Sequence, residues 1–270
     1  MFSSQSQYWR IKIISMNTNL LSKPELFIIT ILVYLSPVVY VSAQLSPFAV
    51  IKDSDGFTNV RYGKSKKIAG QLYNDQVFAI SNFVDVDGWK EWYWIVYPDY
   101  ALAKKPFEKF INKTKEGMIH KSRLIALPDL PQWKKQVLKD DTMVCKNGFD
   151  KLTLRYGKFI KSNHTYTKNG DAIVKIDGSE PWGIDGDVSD QTIEIKSITL
   201  ETNNQKYEFP REAIKNMLMP TKILSNFGVA QGTGQTLFLY MSNSDAAGSY
   251  DVVWTIKSGK VVSQFLYRNF

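Results

Sequence analysis

The sequence predicts an all-β protein built from antiparallel strands in two successive domains, with one short helix in the second. Three observations carry this. Aromatic residues make up 13% of the 270-residue chain, and β-branched runs recur along most of its length, the composition that pleated, half-buried surfaces favour. Short apolar stretches alternate with Gly, Asn, Asp and Ser turns at close intervals. Only one segment, Arg211–Met219 after Pro210, reads as a helix, because proline fits the first helical turn.

The first strand is Ala49–Lys52, ending in the Asp53–Gly56 turn. Asn59-Val60-Arg61 continues toward a turn at Gly63–Lys67. Ile68–Leu72 and Val77–Ile80 follow, separated by the polar Tyr73–Gln76 turn. Asp87-Gly88-Trp89 turns into a strongly aromatic strand, Glu91–Tyr97, and the module closes on Glu116–Leu124.

Two of these stretches are motifs. Asp55-Gly56-Phe57-Thr58-Asn59-Val60-Arg61-Tyr62-Gly63-Lys64-Ser65 resembles the opening D-G-x-x-N-V-R-x-G-x-S run of the bacterial SH3-like (SH3b) domain. Gly117, Ile119, His120, Ser122 and Leu124 fall in register on that family's closing segment. The resemblance covers about 75 residues of the N-terminal module and implies a small SH3-like barrel. Residues 98–115 form an insert where family members bridge with a few residues. It carries five lysines, with Phe107 and Phe110 placed to fold back on the barrel; loops of this length are usually functional or disordered.

Alternation along a strand splits the aromatic segment into two faces. Trp92, Trp94 and Val96 share one, and Tyr93, Ile95 and Tyr97 the other. One face is core. The other is either covered by the insert or open as a groove, since exposed aromatic patches commonly mark binding sites. With Trp92 and Trp94 as core, the ligand-binding candidates are Tyr62, Trp89, Tyr93 and Tyr97. Asn59, Arg61 and His120 read as structural residues of the turn and barrel edge.

Pro128-Asp129-Leu130-Pro131 breaks regular structure, and residues 128–141 read as a linker. The C-terminal domain, 142–270, is then a sandwich or an open barrel. Its strand candidates are Lys151–Arg155, Ala172–Ile176, Gln191–Thr202, Lys206–Phe209, Thr236–Met241, Tyr250–Ile256 and Val261–Tyr267, with Ser258-Gly259 as a two-residue hairpin turn. Its end is similar to the ends of uncharacterised exported bacterial proteins.

Leu26–Val41 is an apolar run preceded by Lys23 and followed by Val41-Ser42-Ala43. A short apolar core ending in a small-x-small site describes a signal peptide spanning residues 1–43. A spanning helix needs about 20 apolar residues, so an uncleaved anchor is the lesser alternative. The expected compartment is the periplasm or the exterior, with membrane contact only through an uncleaved leader.

The net charge is +8. Removing residues 1–43 takes away Arg10, Lys12, Lys23 and Glu25, which lowers the excess by two. The basic residues are too dispersed for a nucleic-acid footprint. The lone Cys145 allows no intrachain disulfide. Cys145 and His164 could pair as thiol and base, but Cys145 sits at a strand end rather than at a thiol-activating helix start. Asp185–Asp190 has alternating carboxylates, yet Asp190 and Lys196 stand where a calcium loop needs Gly and Glu. No cofactor or metal is expected. The reading is an exported, non-enzymatic binding protein for a peptide, a peptidoglycan fragment or a secreted protein. An inhibitor or immunity-type protein is the alternative, and a cell-wall cysteine peptidase the remote one.

Overall fold

The computed structural model describes residues 46–63, 67–81, 90–100, 113–139, 141–244 and 246–268. The chain divides into two units, Met1–Val41 and Ser42–Phe270, and all described residues lie in the second. The leader therefore falls outside the description, as does most of the insert. No helix among the described residues is long and apolar enough to cross a membrane.

The protein is all-β, as expected. Strands β1 (Phe48–Ile51), β2 (Phe57–Tyr62), β3 (Lys67–Tyr73), β4 (Val77–Ile80), β5 (Trp92–Pro98), β6 (Thr114–His120) and β7 (Leu124–Ala126) form one sheet in the order β3-β2-β6-β5-β4-β1-β7. The sheet curls, because Ile51 on β1 also bridges Asn74 just beyond β3. It encloses a core of Ala49, Ile51, Val60, Leu72, Phe78, Ile95, Tyr97 and Ile119.

A second sheet has the order β14-β13-β10-β9-β8, formed by β8 (Lys134–Lys139), β9 (Thr142–Asn147), β10 (Asp150–Lys158), β13 (Ile193–Thr202) and β14 (Gln205–Glu208). A third runs β15-β16-β17-β18, from β15 (Phe227–Gln231), β16 (Thr236–Asn243), β17 (Tyr250–Lys257) and β18 (Lys260–Tyr267). A small hairpin of β11 (Tyr166–Asn169) and β12 (Ala172–Ile176) stands apart from these sheets.

The four-stranded sheet is the middle layer. Leu239, Met241, Val252, Trp254 and Ile256 pack toward Leu152, Leu154, Ile195 and Ile198 of the five-stranded sheet. Their neighbours Phe238, Tyr240, Val253 and Phe265 pack toward Phe48, Val50, Val77 and Ala79 of the curled sheet. A strand covered on both faces reads as a continuous apolar run rather than an alternation. Leu237–Met241 and Val252–Trp254 are such runs, and β16 and β17 are buried almost throughout. The five- and four-stranded sheets thus form a sandwich, and the other face of the β15–β18 sheet packs on the curled sheet.

The stretch read as a linker is ordered against this middle layer. Leu127–Asp129 is a 3₁₀ turn, Gln132 bridges Ala230, the Trp133 amide donates to the Val229 carbonyl, and Lys134–Lys139 is β8. The expected helix at Arg211–Met219 contracts to a 3₁₀ turn, Arg211–Ala213. Downstream, Asn216 and Met219 have positive φ, and Met217 and Leu218 bridge Trp182 and Glu194. The backbone groups that a helix would have used are taken by these bridges.

Asp251 is buried in the middle layer, on the face toward the curled sheet, and accepts a hydrogen bond from the Ser242 hydroxyl. Burial pushes its carboxyl up to about 6, against the opposing pull of that bond. A carboxyl raised above its unfolded value of 3.8 binds a proton more tightly when folded. Its stability contribution is therefore complete below about pH 4 and lost as pH rises through about 6, roughly 3 kcal/mol across the window. Asp177 works in the opposite sense: hydrogen bonds from Thr165 and His164 hold its carboxyl near 2. The difference between wild type and Asp251→Asn isolates the first effect. At pH 7.5 the variant should melt higher than wild type, and the advantage should vanish at pH 4. Equal melting temperatures at both pH values would mean that Asp251 is ionised without penalty.

Candidate functional site

The opening and closing motifs lie about 60 residues apart in sequence and meet in space. Strands β2 and β6 are neighbours, with Arg61 opposite Met118. Their approach depends on Gly117, where a Cβ would lie 2.4 Å from Val60 Cγ1 and 2.9 Å from the Arg61 carbonyl oxygen. Between them opens a cleft of about 400 Å³, lined by Asp53, Asp55, Phe57, Asn59, Arg61, Trp92, His120, Ser122 and Arg123 among others.

The floor of this cleft is held rigidly. The Asp53 carboxylate, 2% exposed, accepts from Arg123 Nη1 at 3.0 Å through both oxygens and from the Asp55 amide at 3.1 Å. Asn74 and the Asp53 backbone exchange two further bonds, at 3.0 and 2.9 Å. Removing Arg123 would leave the buried Asp53 carboxylate without its counter-charge, so Arg123 chiefly positions Asp53 and the turn it fixes.

The wall is aromatic and polar. Trp92 faces His120 across the β5–β6 ladder, with ring centroids 5.3 Å apart and edge-on. His120 Nδ1 accepts from the Ser122 amide at 3.3 Å and lies 2.8 Å from its hydroxyl. Acceptance at Nδ1 places the proton of the neutral ring on Nε2. Asn59 accepts from Gln71 Nε2 at 3.1 Å, which leaves its own amide donors to serve the cleft.

Of the sequence-based candidates, Tyr62, Tyr93 and Tyr97 do not line this cleft. Tyr97 is 4% exposed, within the curled-sheet core, where burial raises its phenol pKa. Tyr93 packs against the same core and is capped by Lys121 Nζ, 4.9 Å from its ring centroid. The two faces of β5 are therefore reversed from expectation: Tyr93, Ile95 and Tyr97 point to the core, and Trp92 and Trp94 point away from it. Val96 on that outer face is covered by the middle layer, and the two tryptophans are only half-buried. Tyr62 is exposed as expected and sits 5.4 Å from Trp94, ring to ring. Trp89 lies outside the described residues, as do Phe107 and Phe110.

The insert begins as an extension of the β5–β6 hairpin. Pro98 pairs Thr114, the Asp99 amide donates to the Lys113 carbonyl at 2.9 Å, and Lys115 meets Asp99 at 3.0 Å. Tyr100 turns inward to donate to the Val77 carbonyl at 2.7 Å.

Cys145 is fully buried in the sandwich core, and burial pushes its thiol up to about 12. A thiol so raised is protonated at neutral pH and a poor nucleophile. His164 is engaged elsewhere: its Nδ1 lies 2.7 Å from the Asp177 carboxylate, and its ring stacks on Phe159 at 4.3 Å. Among the described residues no group of three or more His, Cys, Asp or Glu is arranged to hold a metal ion.

No protein-family model, no curated protein and no solved structure matches this chain.

Proposed function

We propose that this is an exported, non-enzymatic binding protein whose N-terminal module is an SH3-like barrel that takes a peptide or a peptidoglycan fragment in the cleft between the opening and closing motifs. The convergence of Asn59, Arg61, Trp92 and His120 around one opening carries this reading. An aromatic wall with a few fixed polar groups is the usual composition of a small-ligand site. Arg61 adds positive charge to the cleft lining, and Asn59 and His120 Nε2 supply donors for amide carbonyls. Trp92 supplies contact area at low entropic cost. The buried thiol and the engagement of His164 by Asp177 support a binding role over thiol catalysis.

The test is retention on purified peptidoglycan. Retention above that of a charge-matched control protein supports the cell-wall reading. Retention equal to the control removes it and leaves peptide ligands or a secreted enzyme, as in an inhibitor or immunity-type protein, to be screened by the same comparison.

A further inference from the structure

The end of the sandwich formed by the β9–β10, β13–β14 and β17–β18 hairpins places an exposed aromatic beside a row of lysines. The aromatic is Phe149, which is fully exposed. It occupies the second position of a two-residue turn whose first position is Gly148, at φ +60. Nothing in the turn geometry calls for a phenylalanine there. The lysines form a lateral row one rung behind the tips. Lys134 stands opposite Lys146, and Lys146 opposite Lys151. Lys151 pairs with Glu201 at 2.9 Å, and Glu201 stands opposite Lys206. Like charges directly opposed across strands are destabilising.

The third hairpin adds to the same end. A Cβ on Gly259 would touch the Tyr207 ring at 2.4 Å, and Asp150, Asn203, Ser258 and Gly259 border one cleft. The pair that closes this hairpin is Lys257 opposite Lys260. Six lysines thus surround the three tips. Among the described residues the carboxylates at this end include Asp150, Glu201, held by Lys151, and Asp75, held by the Thr233 hydroxyl.

We propose that this end docks on a bilayer bearing anionic headgroups, with Phe149 entering the interface and the lysines contacting phosphate. A strand advances about 3.4 Å per residue, so Phe149 leads the lysine row by a depth that flexible lysine stems can span while their ammonium groups stay at the headgroups. A basic surface around an apolar wedge is the composition of peripheral membrane contact. The contact uses none of the residues that line the peptide cleft.

The buried Cys145 allows a site-specific test in the full chain. Phe149→Cys provides a single accessible thiol for an environment-sensitive fluorophore, and Lys168→Cys on β11 provides the control position. With vesicles of phosphatidylcholine and phosphatidylglycerol, the label at 149 should shift to the blue and be quenched by nitroxide lipids. The label at 168 should do neither. Phosphatidylcholine vesicles should give no shift. Adding Lys146→Gln, Lys206→Gln and Lys257→Gln should weaken the response about 100-fold, at about fivefold per lysine near an anionic surface. No shift at 149, or an equal shift at 168, would overturn the proposal. So would a shift unaffected by the three glutamines, or one produced by dextran sulfate without vesicles, which would mark a site for soluble polyanions.

Discussion

Replacing Trp254 by alanine should lower the stability of the folded protein by about 3–5 kcal/mol, the range for deleting a buried large aromatic. Trp254 is fully buried on β17, where its ring meets Phe209 nearly edge-on with centroids 6.2 Å apart. Its indole Nε1 donates to the Ala213 carbonyl at 2.7 Å, and Gln264 Nε2 donates to the same oxygen at 2.6 Å. The 3₁₀ turn that replaces the expected helix is therefore fastened to the sandwich core by this pair of donors. Trp254→Phe separates the two contributions. It keeps most of the apolar volume and loses one hydrogen bond, so it should cost about 1–2 kcal/mol beyond the small volume change. Denaturant titrations of the three proteins measure both. A Trp254→Ala midpoint within error of wild type would contradict the packing described.

Phe238→Ala should be comparably damaging, about 3–5 kcal/mol, and its effect should reach both halves of the chain. Phe238 is fully buried on the opposite face of the middle layer, in the cluster that joins the four-stranded sheet to Phe48, Val50 and Ala79. In the same cluster Phe48 and Phe265 meet with ring centroids 5.5 Å apart, and Tyr240 donates to Gln132 at 2.9 Å. A shared layer couples the unfolding of the two modules. Hydrogen exchange at Val60 and Ile119 in the curled sheet should accelerate together with exchange at Leu154 and Ile198 in the five-stranded sheet. Acceleration confined to one of these sheets would show that the modules unfold independently.

The middle layer was legible in the sequence, although its meaning was not. Leu237–Met241 and Val252–Trp254 are apolar without interruption, and continuous runs signal cover on both faces. Read strand by strand they gave correct elements, but only the fold supplies the second covering sheet. The Gln191–Thr202 and Val261–Tyr267 strands and the Ser258-Gly259 turn were legible because alternation and turn chemistry are local. The faces of β5 were not. Both of its alternating sets are aromatic or aliphatic, so period-two reasoning finds the two faces without ranking them. Pro128 and Pro131 mark a break in regular structure and say nothing about what pairs next; Gln132 and Trp133 bond to β15, about 100 residues downstream.

The cleft shows the same limit. Asn59, Arg61 and His120 stand in the two motifs, yet each reads as structural in isolation, and Ser122 carries only its place in the closing motif. Trp92 was visible as one of several aromatics. Asp53 and Arg123, which fix the floor, carried no sequence signal beyond a turn and a basic residue. What unites them is the β2–β6 contact, a pairing whose only local trace is Gly117.

Binding in the cleft is tested most directly by a heteronuclear NMR titration that follows the tryptophan indole and histidine ring signals while soluble peptidoglycan fragments and their stem peptides are added. Ligand in the cleft should give saturable shifts of the Trp92 Nε1–H and the His120 ring, with the buried Trp254 indole unmoved and the His164 ring, engaged by Asp177, unmoved. Shifts confined to Trp94 and the exposed face around Tyr62 and Ile68, or no shift of Trp92 and His120 at saturating ligand, would contradict binding in the cleft.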